Sequence, residues 1–157
     1  MTTAVASQTA GVIAPPPLIY LGALGIGFGL DAIIGTGSLP TIVAVPVGAA
    51  SMIAGAGLLR SFLRAFQRAG TPVDPYTPSA AIVTDGPYRL TRNPAYLGMA
   101  FTYAGIAIVA NAPWALAPLP VTIAVIDLGV IAREERYMER RFGKPYVHYK
   151  RRVRRWM

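Results

Sequence analysis

The chain has 157 residues, 54% hydrophobic and only 14% charged, with 16 Gly, 14 Pro and no Cys. That is enough for one small domain, and it excludes a disordered chain, a disulfide-stapled fold, thiol catalysis and thiolate metal sites. A mean hydropathy of +0.45 sets it apart from ordinary soluble globules, and the net charge of +8 is not spread as a nucleic-acid surface would be, because all 15 Lys and Arg fall within residues 60–92 and 133–155.

Met1 to Ala14 carries no Lys or Arg, so it lacks the basic stretch of a secretory signal and reads as a loose tail. After Pro15-Pro16-Pro17, Leu18 to Ile34 is apolar except for Asp31, close to the minimum of roughly 17 residues for a spanning helix. Thr36-Gly37-Ser38 breaks it. Leu39 to Leu59 is a second span of 21 residues without a charge, and its Gly48, Gly55 and Gly57 would let another helix approach closely.

Arg60 ends that run. Arg60 to Pro94 is polar, basic and punctuated by Pro72, Pro75, Pro78, Gly86 and Pro87, which predicts an extramembrane loop. Tyr96 to Ala110 is a third apolar run, Asn111-Ala112-Pro113 a turn, and Trp114 to Ala132 a fourth run containing Pro118, Pro120 and Asp127. Lys and Arg gather on the cytoplasmic side. The bare loops at 35–38 and 111–113 therefore face out, which puts both termini in the cytoplasm, and the plasma (inner) membrane is the expected location.

Arg133 to Phe142 continues the fourth helix, and Gly143 followed by Pro145 stops it. Beyond it, Tyr146, Tyr149, Val153 and Trp156 stand at helical spacing among five basic residues, the pattern of an amphipathic helix on an anionic leaflet rather than on nucleic acid. His148 sits among these arginines and reads as exposed. The predicted fold is thus one all-α integral membrane domain over 1–157. It comprises a tail to residue 17, two spans over 18–59, a cytosolic loop over 60–94, a transmembrane hairpin over 95–132 and cytosolic C-terminal helices over 133–157.

The short turn at 111–113 makes the third and fourth helices antiparallel neighbours, so their cytoplasmic ends meet. One end holds Gly86-Pro87-Tyr88 and Arg92-Asn93-Pro94-Ala95-Tyr96-Leu97-Gly98; the other holds Glu134-Glu135. Pro94 suits a first helical turn, where unpaired N–H groups and the positive end of the dipole attract anions. A helix start, two carboxylates and several aromatic rings suit a zwitterionic ligand with a flat ring.

At these residues the chain resembles the integral membrane methyltransferases grouped around isoprenylcysteine carboxyl methyltransferase and the phospholipid N-methyltransferases. Their signature runs Gly-x-Tyr, Arg-His/Asn-Pro-x-Tyr-x-Gly, a helical hairpin, Glu-Glu and Phe-Gly-x-x-Tyr-x-x-Tyr. Here it stands as Gly86 to Tyr88, Arg92 to Gly98, Glu134-Glu135 and Phe142 to Tyr149. The resemblance implies methyl transfer from S-adenosylmethionine to a lipophilic acceptor entering from the bilayer. It also implies a cofactor pocket facing the cytosol, formed by Ile82, Val83, Tyr88, Asn93, Pro94, Ala95, Tyr96, Gly98 and Glu134, with Glu134 on the cofactor ammonium. Candidates for the chemistry beside it are Glu135, Asp127 and Arg92. No metal is implied, and the expected partners are membrane lipids and a lipid or lipophilic small molecule.

Two positions depart from the pattern. Asn93 replaces a histidine, and Val130 stands where the prenylcysteine enzymes carry a basic residue one turn before the Glu matching Glu134. These changes argue against prenylcysteine as acceptor and leave a lipid amine, carboxylate or phenol open. Glu134-Glu135 could otherwise be a solvated helix end, Arg89 and Arg92 positive-inside anchors, and Asp127 a helix-capping or ion-pairing group. From other classes, a sterol-reductase-like NADPH enzyme and a non-catalytic membrane scaffold fit parts of the same pattern.

Overall fold

A computed structural model of the protein describes residues 10–35, 39–74 and 76–157. It is helical, with no strand among the described residues. Helix α1 covers Pro16–Ile34, α2 Thr41–Ala69, α3 Pro94–Val109, α4 Leu119–Ile126, α5 Ala132–Phe142 and α6 Lys144–Arg152. A π-helical turn, Asp127–Ile131, joins α4 to α5 without a break, and short 3-10 turns cover Gly86–Arg89 and Pro113–Leu116. Pro16–Ile34, Thr41–Ala69 and Pro113–Phe142 are long and apolar enough to cross a bilayer, and α3 is a shorter apolar helix.

The outward faces are apolar: Leu21, Ile26, Ile42, Ile53 and Val121 are each more than 60% exposed. In water that surface would drive aggregation, whereas in lipid it is solvated. This is a membrane protein.

Packing between helices relies on small residues and a few hydrogen bonds, since lipid supplies no hydrophobic drive between spans. Helices α2 and α3 run antiparallel along a glycine seam. A Cβ built on Gly48 would lie 2.8 Å from the Gly105 carbonyl oxygen, and one on Gly55 would lie 2.6 Å from that of Gly98. Gly57, one of the three glycines expected to serve this purpose, faces open space instead. Ser51 Oγ donates to Phe101 O at 2.8 Å across the same seam. Tyr103 ties three elements together, its hydroxyl lying 2.8 Å from Ala115 O and 3.2 Å from Ala23 O.

At the end of the bundle away from the basic residues, Asn111 pairs with the Leu39 backbone through both side-chain atoms, and Asp31 accepts from the Trp114 N–H at 3.1 Å. The turn at 111–113 therefore lies beside the end of α1 and the start of α2. At the other end meet the start of α1, the end of α2, the start of α3 and α5.

Three expectations about boundaries are corrected. Helix α2 does not end at Arg60 but runs nine residues further, to Ala69. The extension is amphipathic: Arg60, Arg64 and Arg68 are exposed, while Phe62 and Phe66, four apart, turn inward. At 1.5 Å per residue α2 is about 44 Å long, which carries its last turns beyond the roughly 30 Å hydrocarbon layer. Residues 10–14 are not loose, because Val12 is buried in the core and Gly11 O accepts from Arg133 Nη1 at 2.9 Å; residues 1–9 and the 36–38 break lie outside the described residues. The C-terminal segment is not one amphipathic helix lying on lipid. Helix α6 ends at Arg152, Val153 is extended, and the chain turns back into the bundle.

Candidate functional site

The elements at the basic end enclose a cavity of about 420 Å³. Its wall is built from Phe62 and Phe66 of α2, Ile82 and Val83 of the loop, Tyr88 of the 3-10 turn, Arg92 and Asn93, Ala95, Tyr96 and Met99 of α3, Glu134, Glu135 and Tyr137 of α5, and Tyr146 and Tyr149 of α6. The loop is fixed to α5 by two contacts at one residue: Ser79 N–H donates to the Tyr137 hydroxyl at 3.0 Å and Ser79 O accepts from Arg141 Nε at 2.6 Å. Tyr149 binds the 3-10 turn through a 2.8 Å hydrogen bond to Tyr88 O.

Seven of the nine residues expected around the cofactor line this cavity: Ile82, Val83, Tyr88, Asn93, Ala95, Tyr96 and Glu134. Pro94 and Gly98 do not. Pro94 is fully buried in the first turn of α3, and Gly98 faces α2 as part of the glycine seam. Of the three residues expected beside the cofactor, Arg92 and Glu135 reach the cavity and Asp127 does not. Asp127 takes Arg155 Nη1 at 2.9 Å and Trp156 Nε1 at 3.0 Å, which is the ion-pairing role open to it from sequence. His148 is exposed, and Arg89 pairs with exposed Asp85.

Glu135 is a buried hub. Its Oε1 accepts from Arg155 Nε and lies 3.1 Å from Arg92 Nη2, while its Oε2 takes Arg155 Nη2 at 2.7 Å and lies 3.3 Å from Lys150 Nζ. Lys150 also pairs with Glu139 at 2.7 Å. Its neighbour Glu134 has no cation among the described residues; it accepts one hydrogen bond, from the Tyr96 hydroxyl at 2.7 Å. Consecutive residues on a helix point about 100° apart, and that rotation separates a satisfied carboxylate from one facing the cavity.

The π turn explains how one arginine reaches both Asp127 and Glu135. Its i→i+5 bonding takes up one residue more than an α turn, so residues eight apart fall on one face. The C-terminal segment is also held by its backbone. Arg92 N–H donates to Arg154 O at 3.0 Å, and Thr91 Oγ1 and Asn93 Nδ2 both donate to Arg155 O, at 3.0 and 2.9 Å. Val130, at the position where a basic residue was noted in similar enzymes, is fully buried in the apolar core.

Three rings form one wall of the cavity. Phe62 and Phe66 lie 4.8 Å apart, and Tyr88 is 6.5 and 6.0 Å from them. Burial first, and then the Glu134 carboxylate, push the Tyr88 phenol well above its usual range. Burial likewise raises Tyr146 and Tyr149, with Arg92 pulling both back down in part. All three phenols are therefore protonated at neutral pH and do not serve as bases; Tyr149 donates to the Tyr88 carbonyl oxygen. Phe62, Phe66 and Tyr137 were not expected in the site from sequence, whereas Tyr146 and Tyr149 belong to the C-terminal signature, whose segment was expected to cover the pocket beside Glu134. The alternation of Arg and Phe four apart after Arg60 was the signal for the first two.

A family model described as phospholipid methyltransferase matches residues 43–145, a stretch that spans α2, the loop, the hairpin and α5. An uncharacterized protein of Haemophilus influenzae is 51% identical over 37 residues, which are 24% of this chain and 59% of that protein. The chain thus spans about three-fifths of the length of the curated relative it matches. No solved structure matches the chain significantly.

Proposed function

The chain belongs to the phospholipid methyltransferase family, and from that premise we propose that it transfers the methyl group of S-adenosylmethionine to a lipophilic acceptor reaching the cavity from the bilayer. The observation that carries this reading is Glu134, a cavity-facing carboxylate with a phenol as its partner and no cation. A carboxyl group at the cavity wall with no counter-ion among the described residues suits a cationic ligand, which would keep it ionised. The cofactor has an ammonium and a sulfonium, and the polarizable rings of Phe62, Phe66 and Tyr88 would take its adenine. The donor set therefore suits the group.

Glu134 would hold the ammonium, with Tyr96 fixing the carboxylate from behind. Ile82, Val83 and Ala95 would supply apolar surface that excludes water. The chemistry the cofactor supplies when bound is a methyl on a sulfonium, transferred with its bonding pair left on sulfur as a neutral thioether. The protein's share is then alignment and dryness. Glu135 is fully engaged by cations, so any base the acceptor needs is not this residue in its resting arrangement. The basic end of the bundle would face the cytoplasm, as the charge asymmetry favours. An NADPH-reductase reading is not favoured by this family membership.

Titration of S-adenosylmethionine and of NADPH into the full chain in a nonionic detergent tests the reading. Saturable binding of the first and none of the second is expected. Binding of NADPH alone would overturn it.

A further inference from the structure

We propose that Arg92 forms an oxyanion subsite in the cavity, taking a carboxylate or phosphate of whatever binds there. Arg92 lines the cavity with its side chain only 9% exposed. One of its terminal nitrogens, Nη2, lies against Glu135 at 3.1 Å, but Nε and Nη1 are buried with no hydrogen-bond partner. Nine-tenths burial denies these donors bulk water, and leaving charged donors unmet is costly enough that folded proteins seldom do it.

The neighbouring carboxylates are engaged elsewhere. Both oxygens of Glu135 are shared with Arg155 and Lys150, Asp127 is held by Arg155 and Trp156, and Glu139 by Lys150. The peptide N–H of Arg92 is tied to Arg154 O and Glu135 holds its Nη2, so the side chain is kept in place at the cavity wall. A planar guanidinium with free N–H groups suits a planar or tetrahedral oxyanion. Glu134 and Arg92 thus give one cavity a carboxyl group without a cation and donors without an acceptor.

The inference rests on the methyl-transfer reading for its two sources of oxyanion: the amino-acid carboxylate of the cofactor, or an acidic head on the acceptor. Calorimetric titration of the full chain in dodecyl maltoside separates them. The first pair of probes is S-adenosylmethionine and its decarboxylated analogue; the second is dodecyl phosphate and dodecanol. Wild type is expected to prefer the anionic member of at least one pair by tenfold or more, and Arg92→Lys, which keeps the charge beside Glu135 but loses the fork, is expected to erase that preference. Erasure in the first pair assigns the carboxylate of the cofactor, and erasure in the second an acidic acceptor head.

Indifference of wild type to the oxyanion in both pairs overturns the subsite, as does an undiminished preference in folded Arg92→Lys. Should that variant not fold, the wild-type preferences alone decide in the same sense. Failure of S-adenosylmethionine to bind wild type at all sinks the methyl-transfer reading and leaves the dodecyl phosphate arm to judge Arg92 on its own.

Discussion

Glu134 and Glu135 are adjacent in the chain and opposite in chemistry: three cations converge on Glu135, and a single phenol meets Glu134. The first arrangement holds the C-terminal segment to the bundle, whereas the second leaves a carboxyl group without a cation at the cavity wall. Substitution separates the two roles.

Glu134→Gln keeps size and hydrogen bonding but removes the charge. Loss of one charge-assisted bond is worth roughly 1.5–3 kcal/mol, so S-adenosylmethionine affinity is expected to fall about 10- to 150-fold with little change in the melting temperature of the unliganded protein. Glu135→Gln takes the charge partner from buried Arg92, while the partly exposed Lys150 and Arg155 keep Glu139 and Asp127, at a cost of roughly 3 kcal/mol. For a chain of this size that is a drop of about 6–12 °C in melting temperature. Calorimetry and thermal melting on the same two variants check both halves. A larger binding loss and no loss of stability at Glu135 would reverse the assignment.

The apolar runs that became α1, the lipid-crossing part of α2, α3 and the fourth span were legible because composition alone decides what enters lipid. The motif residues Tyr88, Asn93, Ala95, Tyr96 and Glu134 were legible as a group because they crowd the two ends of one hairpin. What was not legible depends on tertiary contacts. Nothing in Asp127-Leu128-Gly129-Val130-Ile131 announces a π turn, yet that turn sets which later carboxylate lies above Asp127. The spacing of Tyr146, Tyr149, Val153 and Trp156 obeys helical periodicity, but Arg155 and Trp156 gain more from partners 20 to 29 residues away than from another helical turn. The charge at Arg60 read as an end because the loop beyond it is polar, although only one face of that stretch is charged.

Asp127 is the anchor of the C-terminal segment at the bundle. Asp127→Asn is expected to weaken the contacts of Arg155 and Trp156 while leaving the cavity lining in place. The exposed Arg151, Arg152 and Arg154 then report on it. Trypsin cleavage after these residues should speed up several-fold under native conditions, where proteolysis follows the population of the opened segment. An unchanged cleavage rate would show that the backbone bonds to Thr91, Arg92 and Asn93 suffice by themselves.

The glycine seam predicts a contrast between two positions two residues apart on α2. Gly55→Val places a Cβ against the backbone of α3, which cannot yield as a flexible side chain would. A cost of roughly 1–3 kcal/mol from overpacking is expected. Gly57→Ala meets nothing and reduces backbone freedom in the unfolded chain, so it should be neutral or raise stability by up to about 1 kcal/mol. Melting in nonionic detergent should separate them, and equal effects would mean that the close approach of α2 to α3 is absent in solution.

The aromatic wall and Glu134 should bind different ends of one ligand, and that separation is testable. Phe66 packs 6.0 Å from Tyr88 and 4.8 Å from Phe62, so Phe66→Ala removes the middle of the wall without touching an ion pair. Base-to-aromatic stacking is worth roughly 1–3 kcal/mol by alanine substitution, or about 5- to 150-fold in affinity. Adenosine carries the ring but no ammonium. In Phe66→Ala, adenosine and S-adenosylmethionine should lose affinity by the same factor; in Glu134→Gln, S-adenosylmethionine should weaken while adenosine does not. Competition titrations of both ligands against both variants give four numbers. If adenosine binding instead survives Phe66→Ala and falls with Glu134→Gln, the ring lies beside the carboxylate and the ligand is turned end for end in the cavity.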